Sequence, residues 1–316
     1  MEMSNKGRII RSTGSWYQVE LLDTGIQIDC RLVGKIRQDD LITTNPIAVG
    51  DIVELDMKDG EPIICKVEPR KNYIARQSPR KKHDIHLLAS NIDQAIIMST
   101  IVNPDLKLGF IDRFILMTEP RDIPVYLVFN KADIYNEDSM EIYHAVKSIY
   151  ERIGYSCLLV STFDGTGLEE LKTLLTNKIS LIAGQSGVGK SSLINAIEPA
   201  LNLRTGEISD YTGKGQHTTT FAEMLPFSFG GAIIDTPGIK TLSFNNMEVL
   251  DVVHNYKEFF AISDGCKFSN CTHRNEPGCA VKLAIEKGII SELRYATYLQ
   301  ILDEIEDQNY WERHNM

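Results

Sequence analysis

Gly184-Gln185-Ser186-Gly187-Val188-Gly189-Lys190-Ser191 follows a short apolar run (Ile179, Leu181, Ile182) and precedes a helix-forming segment from Ser192 to Ile197. This is G-x-x-x-x-G-K-[ST] in a strand–loop–helix setting. The glycines let backbone N–H groups turn inward around phosphate oxygens, where a side chain would collide. A helix opening at Lys190 presents its positive end, and the Lys190 ammonium reaches the β- and γ-phosphates. The Ser191 hydroxyl is the expected Mg²⁺ ligand. A glycine-rich β–α turn that binds nothing is the alternative, but it does not account for Lys-Ser in register between apolar strand and apolar helix. The sequence here implies a nucleoside triphosphate.

Upstream of that loop, from about residue 90, the pattern alternates between strand and helix. Buried strands are expected at Ile92–Met98, Pro124–Phe129 and Tyr155–Val160, and helices at Phe110–Met117, 138–152 and Leu168–Leu175. Such alternation predicts a parallel, doubly wound sheet with ligands at the carboxyl ends of its strands. The second strand ends in Asn130-Lys131-Ala132-Asp133, and the third leads into Ser161, which joins the candidate nucleotide-binding residues. An Asp carboxylate accepts from both N1–H and the 2-amino group of guanine. Adenine offers neither donor and would leave the carboxylate unpaired, at about 1–3 kcal/mol or more. Asn130 can serve the other edge of the base, and the Lys131 stem can cover its face. Asn and Asp are common in turns, so the motif gains its force from standing beside a phosphate loop.

Downstream, Gly213-Lys214-Gly215-Gln216-His217-Thr218-Thr219-Thr220 suits a switch ordered by γ-phosphate and Mg²⁺. One of the three threonines supplies a hydroxyl to the metal, and Thr219 is assigned that role. Paired strands at Phe221–Phe227 and Gly231–Ile234 lead into Asp235-Thr236-Pro237-Gly238. Asp235 would hold the Mg²⁺ shell through water, and the Gly238 N–H would bind the γ-phosphate. Ile239 follows, where Ras-like enzymes place a Gln that orients the attacking water. Isoleucine cannot, so His217 is the candidate catalytic residue; an exposed loop histidine without a chemical role is the other reading. Intrinsic hydrolysis should be slow, with activation supplied by a partner that orders the loop.

Near the C-terminus stands Cys266-x4-Cys271-x-His273-x5-Cys279. Three thiolates and an imidazole make a tetrahedral Cys₃His zinc site with no open position, hence a structural one. Flanking segments at 247–262 and 281–312 read as helical. Cys30, Cys65 and Cys157 lie in strand-like runs and read as packing residues.

The first seventy or so residues read as about five short strands, among them Trp16–Leu21, Ile26–Cys30, Val49–Leu55 and Ile63–Val67. That suits a small OB-type barrel, which can bind RNA or dock protein. A connector with Lys66, Arg70, Lys71, Arg76, Arg80, Lys81 and Lys82 follows, either a solvated face or a phosphate contact. At 316 residues, 43% hydrophobic and 24% charged, the chain has globular composition. A net charge of −10 argues against a general nucleic-acid coat and makes any RNA contact local. The N-terminus carries no run long enough for a signal peptide or a membrane span, so a cytoplasmic setting without membrane contact is expected.

Ordinary GTPases place the phosphate loop first and N-K-x-D late. Here N-K-A-D and Ser161 precede it, so a circularly permuted α/β GTPase domain is expected over 71–245, between an OB-fold barrel at 1–70 and a zinc-binding domain at 246–316. Permutation leaves the switch loops near the domain's carboxyl end, where the zinc segment could feel them. The order N-K-A-D, G-x-S-G-V-G-K-S-S-L-I-N, G-x-H-T-T-T, D-T-P-G and C-x4-C-x-H-x2-E-P-x-C resembles the RsgA family of ribosome small-subunit-dependent GTPases over almost the whole chain. The resemblance implies a monomeric bacterial GTPase that binds the small ribosomal subunit and its rRNA late in assembly. Its hydrolysis would be stimulated by that subunit, and its GDP form would leave. It also implies that Gly184 to Ser192 hold phosphates and Mg²⁺, and that Cys266, Cys271, His273 and Cys279 ligate Zn²⁺. A signalling GTPase whose barrel and zinc segment dock proteins is the alternative. A guanine site of this kind should also admit (p)ppGpp. Gln216 and Val33 depart from the pattern, each standing where an Arg is common, and both bear on RNA contact.

Overall fold

The computed structural model describes residues 5–14, 16–32, 43, 45–57, 62–77, 85–203, 222–235 and 247–314, with side chains described to residue 307. The expectations for Val33, Lys81, Lys82, Gln216, His217, Thr218, Thr219, Thr220 and Gly238 lie outside the described residues.

Five strands make the N-terminal barrel: β1 (Lys6–Ser12), β2 (Trp16–Leu21), β3 (Gln27–Leu32), β4 (Ile52–Asp56) and β5 (Ile63–Val67). They pair in the order β1-β2-β3-β5-β4, and β4 closes back on β1. The β3–β5 contact is parallel and the others antiparallel. Alternate residues point inward, so Ile9, Tyr17, Val19, Cys30, Val53, Leu55 and Ile64 fill the interior. The strand expected from Val49 begins only at Ile52, because Val49, Gly50 and Asp51 turn against Ser90 instead. Gly50 has φ 98°, and a Cβ there would overlap the Ser90 carbonyl oxygen. Cys30 and Cys157 are buried, and burial pushes their thiols up to about 11 and about 12; Cys65 is exposed, contrary to its reading as a packing residue.

The basic connector is not a plain linker. β6 (Tyr73–Gln77) and β7 (Ile85–Ser90) form an antiparallel hairpin within it. Arg70 is buried, donating through Nε to Asp51 Oδ1 and through a terminal nitrogen to Asp51 Oδ2, both at 2.7 Å. Its charge is held by Asp51, which also accepts from the Ser90 hydroxyl of β7. Lys66 faces Glu54 and Glu68, and Lys71 faces Asp93.

The second domain contains β8 (Gln94–Ser99), α1 (Leu108–Thr118), β9 (Val125–Phe129), α2 (Glu137–Arg152), β10 (Ser156–Leu159), α3 (Leu168–Leu175), β11 (Ile179–Gly184), α4 (Lys190–Ile197), β12 (Glu223–Pro226) and β13 (Ala232–Asp235). Its strands lie in the order β10-β9-β8-β11-β13-β12, with β12 antiparallel and the rest parallel. Both faces are covered, so β8 and β11 are buried at every position, as the uninterrupted apolar runs require. Ala95, Ile97, Leu127 and Leu181 pack with Ile111, Phe114, Tyr143, Val146 and Tyr150 of α1 and α2. Ile96, Met98, Val128 and Ile182 pack with Leu171, Leu193, Ile194 and Ile197 of α3 and α4 on the other side. Asn136 caps α2 by accepting from Ser139 N at 2.9 Å, a contact worth about 1 kcal/mol. The chain runs outward from β8 to β9 and β10, then crosses back to β11. Strand order therefore reverses between β8 and β11, where a doubly wound sheet opens a crevice. The barrel joins this sheet through β1 and β12, at Arg11 opposite Glu223.

Four helices follow: α5 (Val249–Asn255), α6 (Lys257–Ser263), α7 (Ala280–Glu286) and α8 (Glu292–His314). Val252, Phe259, Val281, Tyr298, Ile301 and Leu302 share a core with Leu116 of α1. A buried ion cluster sits on that seam: Arg294 donates to Asp112 of α1 and to Glu258 of α6, while the Tyr150 hydroxyl of α2 donates to Asp112 at 2.6 Å. Among the described residues the C-terminal segment is anchored on α1 through this seam, and its own first helix, α5, packs against α6 and α8.

Candidate functional site

The phosphate loop runs from the end of β11 into α4, beside the crevice. Gly187 and Gly189 both take positive φ, at 81° and 92°. A Cβ on Gly189 would stand 2.5 Å from Asn130 Nδ2. That close approach has a function: Asn130 Nδ2 donates to Val188 O at 2.8 Å, which stitches the phosphate loop to the N-K-A-D loop. Val188 is itself buried beneath the loop. Lys190 Nζ donates to Gly184 O at 2.7 Å and Gln185 O at 3.0 Å, curling over the loop it belongs to. Ser191 and Ser192 are half-buried in the first turn of α4. Asp235 ends β13 in register with Ile182, two residues before the loop begins. These groups line up N–H donors, an ammonium, hydroxyls and a carboxylate, the set that phosphates and a divalent cation require.

The N-K-A-D loop follows β9, flanked by the loop after β8 on one side and the loop after β10 on the other. Asn130 is 1% exposed, and its Oδ1 has no hydrogen-bond partner. Lys131 adopts φ 68° and extends to the β8 side, where Nζ donates to Asn103 O at 2.6 Å. Asp133 is exposed, and on the β10 side the Ser161 hydroxyl donates to its Oδ1 at 2.6 Å. That bond fixes the carboxylate while leaving acceptor capacity on Oδ2, a geometry able to receive two donors from a base edge. Ala132 N donates to Val160 O at 3.1 Å, which completes the seam between the two loops.

Sequence reasoning missed Tyr135. Its hydroxyl donates to Asn130 O at 2.7 Å and accepts from Ile101 N at 2.8 Å, holding both loops together. Burial pushes this phenol up to about 12, so it remains protonated and able to donate. A tyrosine two residues after N-K-x-D carries no signal of its own. Its use appears only when β8 and β9 are known to be neighbours.

In the C-terminal segment, one ligand atom from each of Cys266, Cys271, His273 and Cys279 lies within 4.8 Å of every other. Cys266 Sγ and Cys279 Sγ stand 4.0 Å apart, and His273 Nδ1 is 3.7 Å from the first and 3.4 Å from the second. Metal–ligand bonds of about 2.0–2.3 Å in a tetrahedron demand edges of this length. His273, fully buried at φ 60°, is held through its carbonyl by the Tyr295 hydroxyl at 2.7 Å. Cys279 caps α7, its Sγ accepting from Lys282 N at 3.5 Å. Burial raises the Cys271 thiol to about 12, a penalty that a bound divalent cation reverses by holding the thiolate. The cluster can hold a metal ion.

A P-loop at a topological switch point, bonded to an N-K-x-D loop that precedes it in sequence, defines a circularly permuted GTPase. The family model described as RsgA GTPase matches residues 67–245, and that of the RsgA N-terminal domain matches 6–64. The "small ribosomal subunit biogenesis GTPase RsgA" of Phocaeicola vulgatus is 48% identical over 306 residues, covering 96% of this chain and 98% of that one. The protein of the same name from Flavobacterium psychrophilum is 47% identical over 308 residues, covering 96% and 94%. Among solved structures, YjeQ from Thermotoga maritima aligns with a TM-score of 0.75 at 37% identity, covering 95% of this chain and 98% of that one. YloQ, described as a circularly permuted GTPase, aligns at 0.72 and 30% identity, covering 96% and 95%. This chain belongs to the RsgA GTPase family. Like other GTPases it uses Mg²⁺ with its nucleotide.

Proposed function

We propose that this GTPase binds the small ribosomal subunit and acts in its late maturation, with hydrolysis stimulated by the subunit. The observation that carries the guanine-nucleotide part is the Asn130 Nδ2 to Val188 O bond, which makes one site of the base-reading and phosphate-holding loops. The subunit part rests on the names of relatives that align over nearly the whole chain.

In this reading Asp133, held by Ser161, accepts from guanine N1–H and the 2-amino group, and Asn130 and Lys131 serve the other edge and one face. Ala132 contributes its backbone to the same loop. The N–H groups from Gln185 through Ser192 hold phosphates, with Gly184 starting the turn. Lys190 swings from its carbonyl contacts onto the β- and γ-oxygens. Ser191 and Thr219 would hold Mg²⁺, with Asp235 beside them, and the ion would supply neutralisation of developing charge; the Gly238 N–H would bind the γ-phosphate. His217 orients the attacking water in place of the glutamine that Ile239 cannot supply. Four protein donors make the metal of the Cys₃His cluster a structural Zn²⁺. We place the domain boundaries near residues 70 and 245, and read the protein as a cytoplasmic monomer. A site that reads guanine also admits (p)ppGpp. With Arg70 paired to Asp51, rRNA contact from the connector would come from its remaining basic residues, Lys81 and Lys82 among them.

Pelleting with purified small subunits tests the reading. Co-sedimentation with a non-hydrolysable GTP analogue and release with GDP is expected. Pelleting with neither nucleotide would replace it by the signalling alternative, and equal pelleting with both would remove nucleotide-controlled release.

A further inference from the structure

The Cys₃His cluster is not evenly covered. Cys271, His273 and Cys279 are buried, while Cys266 is half-buried and is followed by four exposed residues, Lys267 to Asn270. A reagent arriving from solvent meets the Cys266 sulfur first, and a cationic neighbour such as Lys267 favours thiolate reactivity. The backbones around two of the four ligands also run side by side. Lys267 N donates to Gly278 O at 3.1 Å, and a Cβ on Gly265 would stand 3.0 Å from the Ala280 Cβ. The residues between those contacts are both ligands, Cys266 on one segment and Cys279 on the other. They are therefore direct neighbours across two antiparallel segments, and their sulfurs stand 4.0 Å apart. Residues opposed in this way fall within the Cα separation that a disulfide bridges, about 4.4–6.8 Å. Cys271 instead sits in a local turn, its N–H donating to Phe268 O at 3.3 Å.

We propose that Cys266 is an oxidation site and Cys279 its resolving partner, so that a hydroperoxide converts the pair to a disulfide and the cluster gives up its metal; this rests on the metal reading above. The Cys266 thiolate attacks one oxygen of the hydroperoxide, the O–O bond breaks and hydroxide leaves, with sulfur keeping an OH group as a sulfenic acid. The Cys279 thiolate then attacks that sulfur, the S–O bond breaks and a second hydroxide leaves. With H₂O₂ as oxidant, two thiolates, one peroxide and two solvent protons give one disulfide and two waters. Each sulfur loses one electron, and both peroxide oxygens are reduced. Cys271 and His273 alone then cannot complete a tetrahedron. The His273 ring stands edge-on to Phe259, with ring centroids 6.0 Å apart, and Phe259 belongs to the core of α5–α8. Oxidation therefore loosens that core.

The test treats purified Cys65→Ser protein with H₂O₂, the substitution removing the exposed thiol of the barrel. Dimedone should label Cys266 first. Peptide mapping after longer treatment should find the Cys266–Cys279 disulfide, with one zinc ion passed to a chelating dye per disulfide formed. Dithiothreitol with added Zn²⁺ should restore thiols and metal, and amides of α6 and α7 should exchange faster in the oxidised form alone. A first label on Cys271 or Cys279, a disulfide through Cys271, or thiols that stay reduced in millimolar peroxide overturns the proposal. Metal content measured before treatment separates the two readings. Protein that carries no zinc removes the metal reading and the release with it, while the mapping still decides the Cys266–Cys279 pair. Protein that carries zinc, forms the disulfide and retains the ion keeps the metal reading and overturns the release.

Discussion

Replacing Arg294 with methionine takes the one cation out of a buried cluster that joins α8 to α1 and α6. The side chain is 4% exposed, Asp112 is fully buried, and Nε donates to Glu258 Oε1 at 2.8 Å while a terminal nitrogen donates to Asp112. Burial works against the charged guanidinium, but the facing carboxylates of Asp112 and Glu258 outweigh it and hold its pKa well above the ordinary value. After substitution Asp112 would keep two neutral donors, the Tyr150 and Thr297 hydroxyls, and Glu258 would lose both of its bonds to Arg294. Stripping one partner from a buried pair costs about 3–5 kcal/mol, and methionine's fit to the alkyl path of arginine returns little of it. For domains of this size that corresponds to a fall in Tm of roughly 6–20 °C. Calorimetry reads the loss, and hydrogen exchange locates it: amides of α6 and α8 should open well before those of β8 and β11. Adding Asp112→Asn should recover part of the loss, since the stranded charge is what costs most. A loss below about 1 kcal/mol, the range of a surface pair, would refute the claim that this cluster holds the seam.

The purified protein should carry one zinc ion per chain by elemental analysis, and Cys279→Ser should lose it together with cooperative unfolding of α5–α8. Full metal content in that variant would remove Cys279 from the ligand set. Gly50→Ala should destabilise the barrel junction by roughly 1–3 kcal/mol or more, because φ 98° and the Ser90 carbonyl both oppose a Cβ; an unchanged urea midpoint would contradict it. Gly189→Ala should abolish GDP binding by pushing Asn130 from Val188 O, and its φ of 92° adds a strain of roughly 1–3 kcal/mol that lowers the melting temperature as well. Retained GDP affinity would mean that the bond between the two loops is dispensable.

The chemistry of phosphate and base restricts residue types at contiguous positions, so the loop at 184–191, N-K-A-D and the cysteine cluster could be read directly and the strands placed around them. What stayed hidden was non-local. Asp112 and Arg294 stand 182 positions apart, and nothing near either residue announces the other. Leu116 reads as one more apolar residue of α1, yet it belongs to the C-terminal core. Arg70 looks like part of a basic run because Asp51, nineteen positions away, does not show as its partner. β1 is not among the strands read from the sequence: Ile9 and Ile10 are both buried, which hides its alternation, and its register with β2 shifts between Ile9 and Arg11. β6 and β7 are likewise defined by non-local pairing, which runs from Tyr73 opposite Ser90 to Gln77 opposite Ile85.

GTP turnover by the purified protein, alone and with purified small or large ribosomal subunits, tests the central claim most directly, with His217→Ala run in parallel. Strong stimulation by the small subunit alone, lost in His217→Ala, is the predicted result. Stimulation that survives in the variant would keep the partner and discard the histidine. Turnover that no subunit raises would contradict the account.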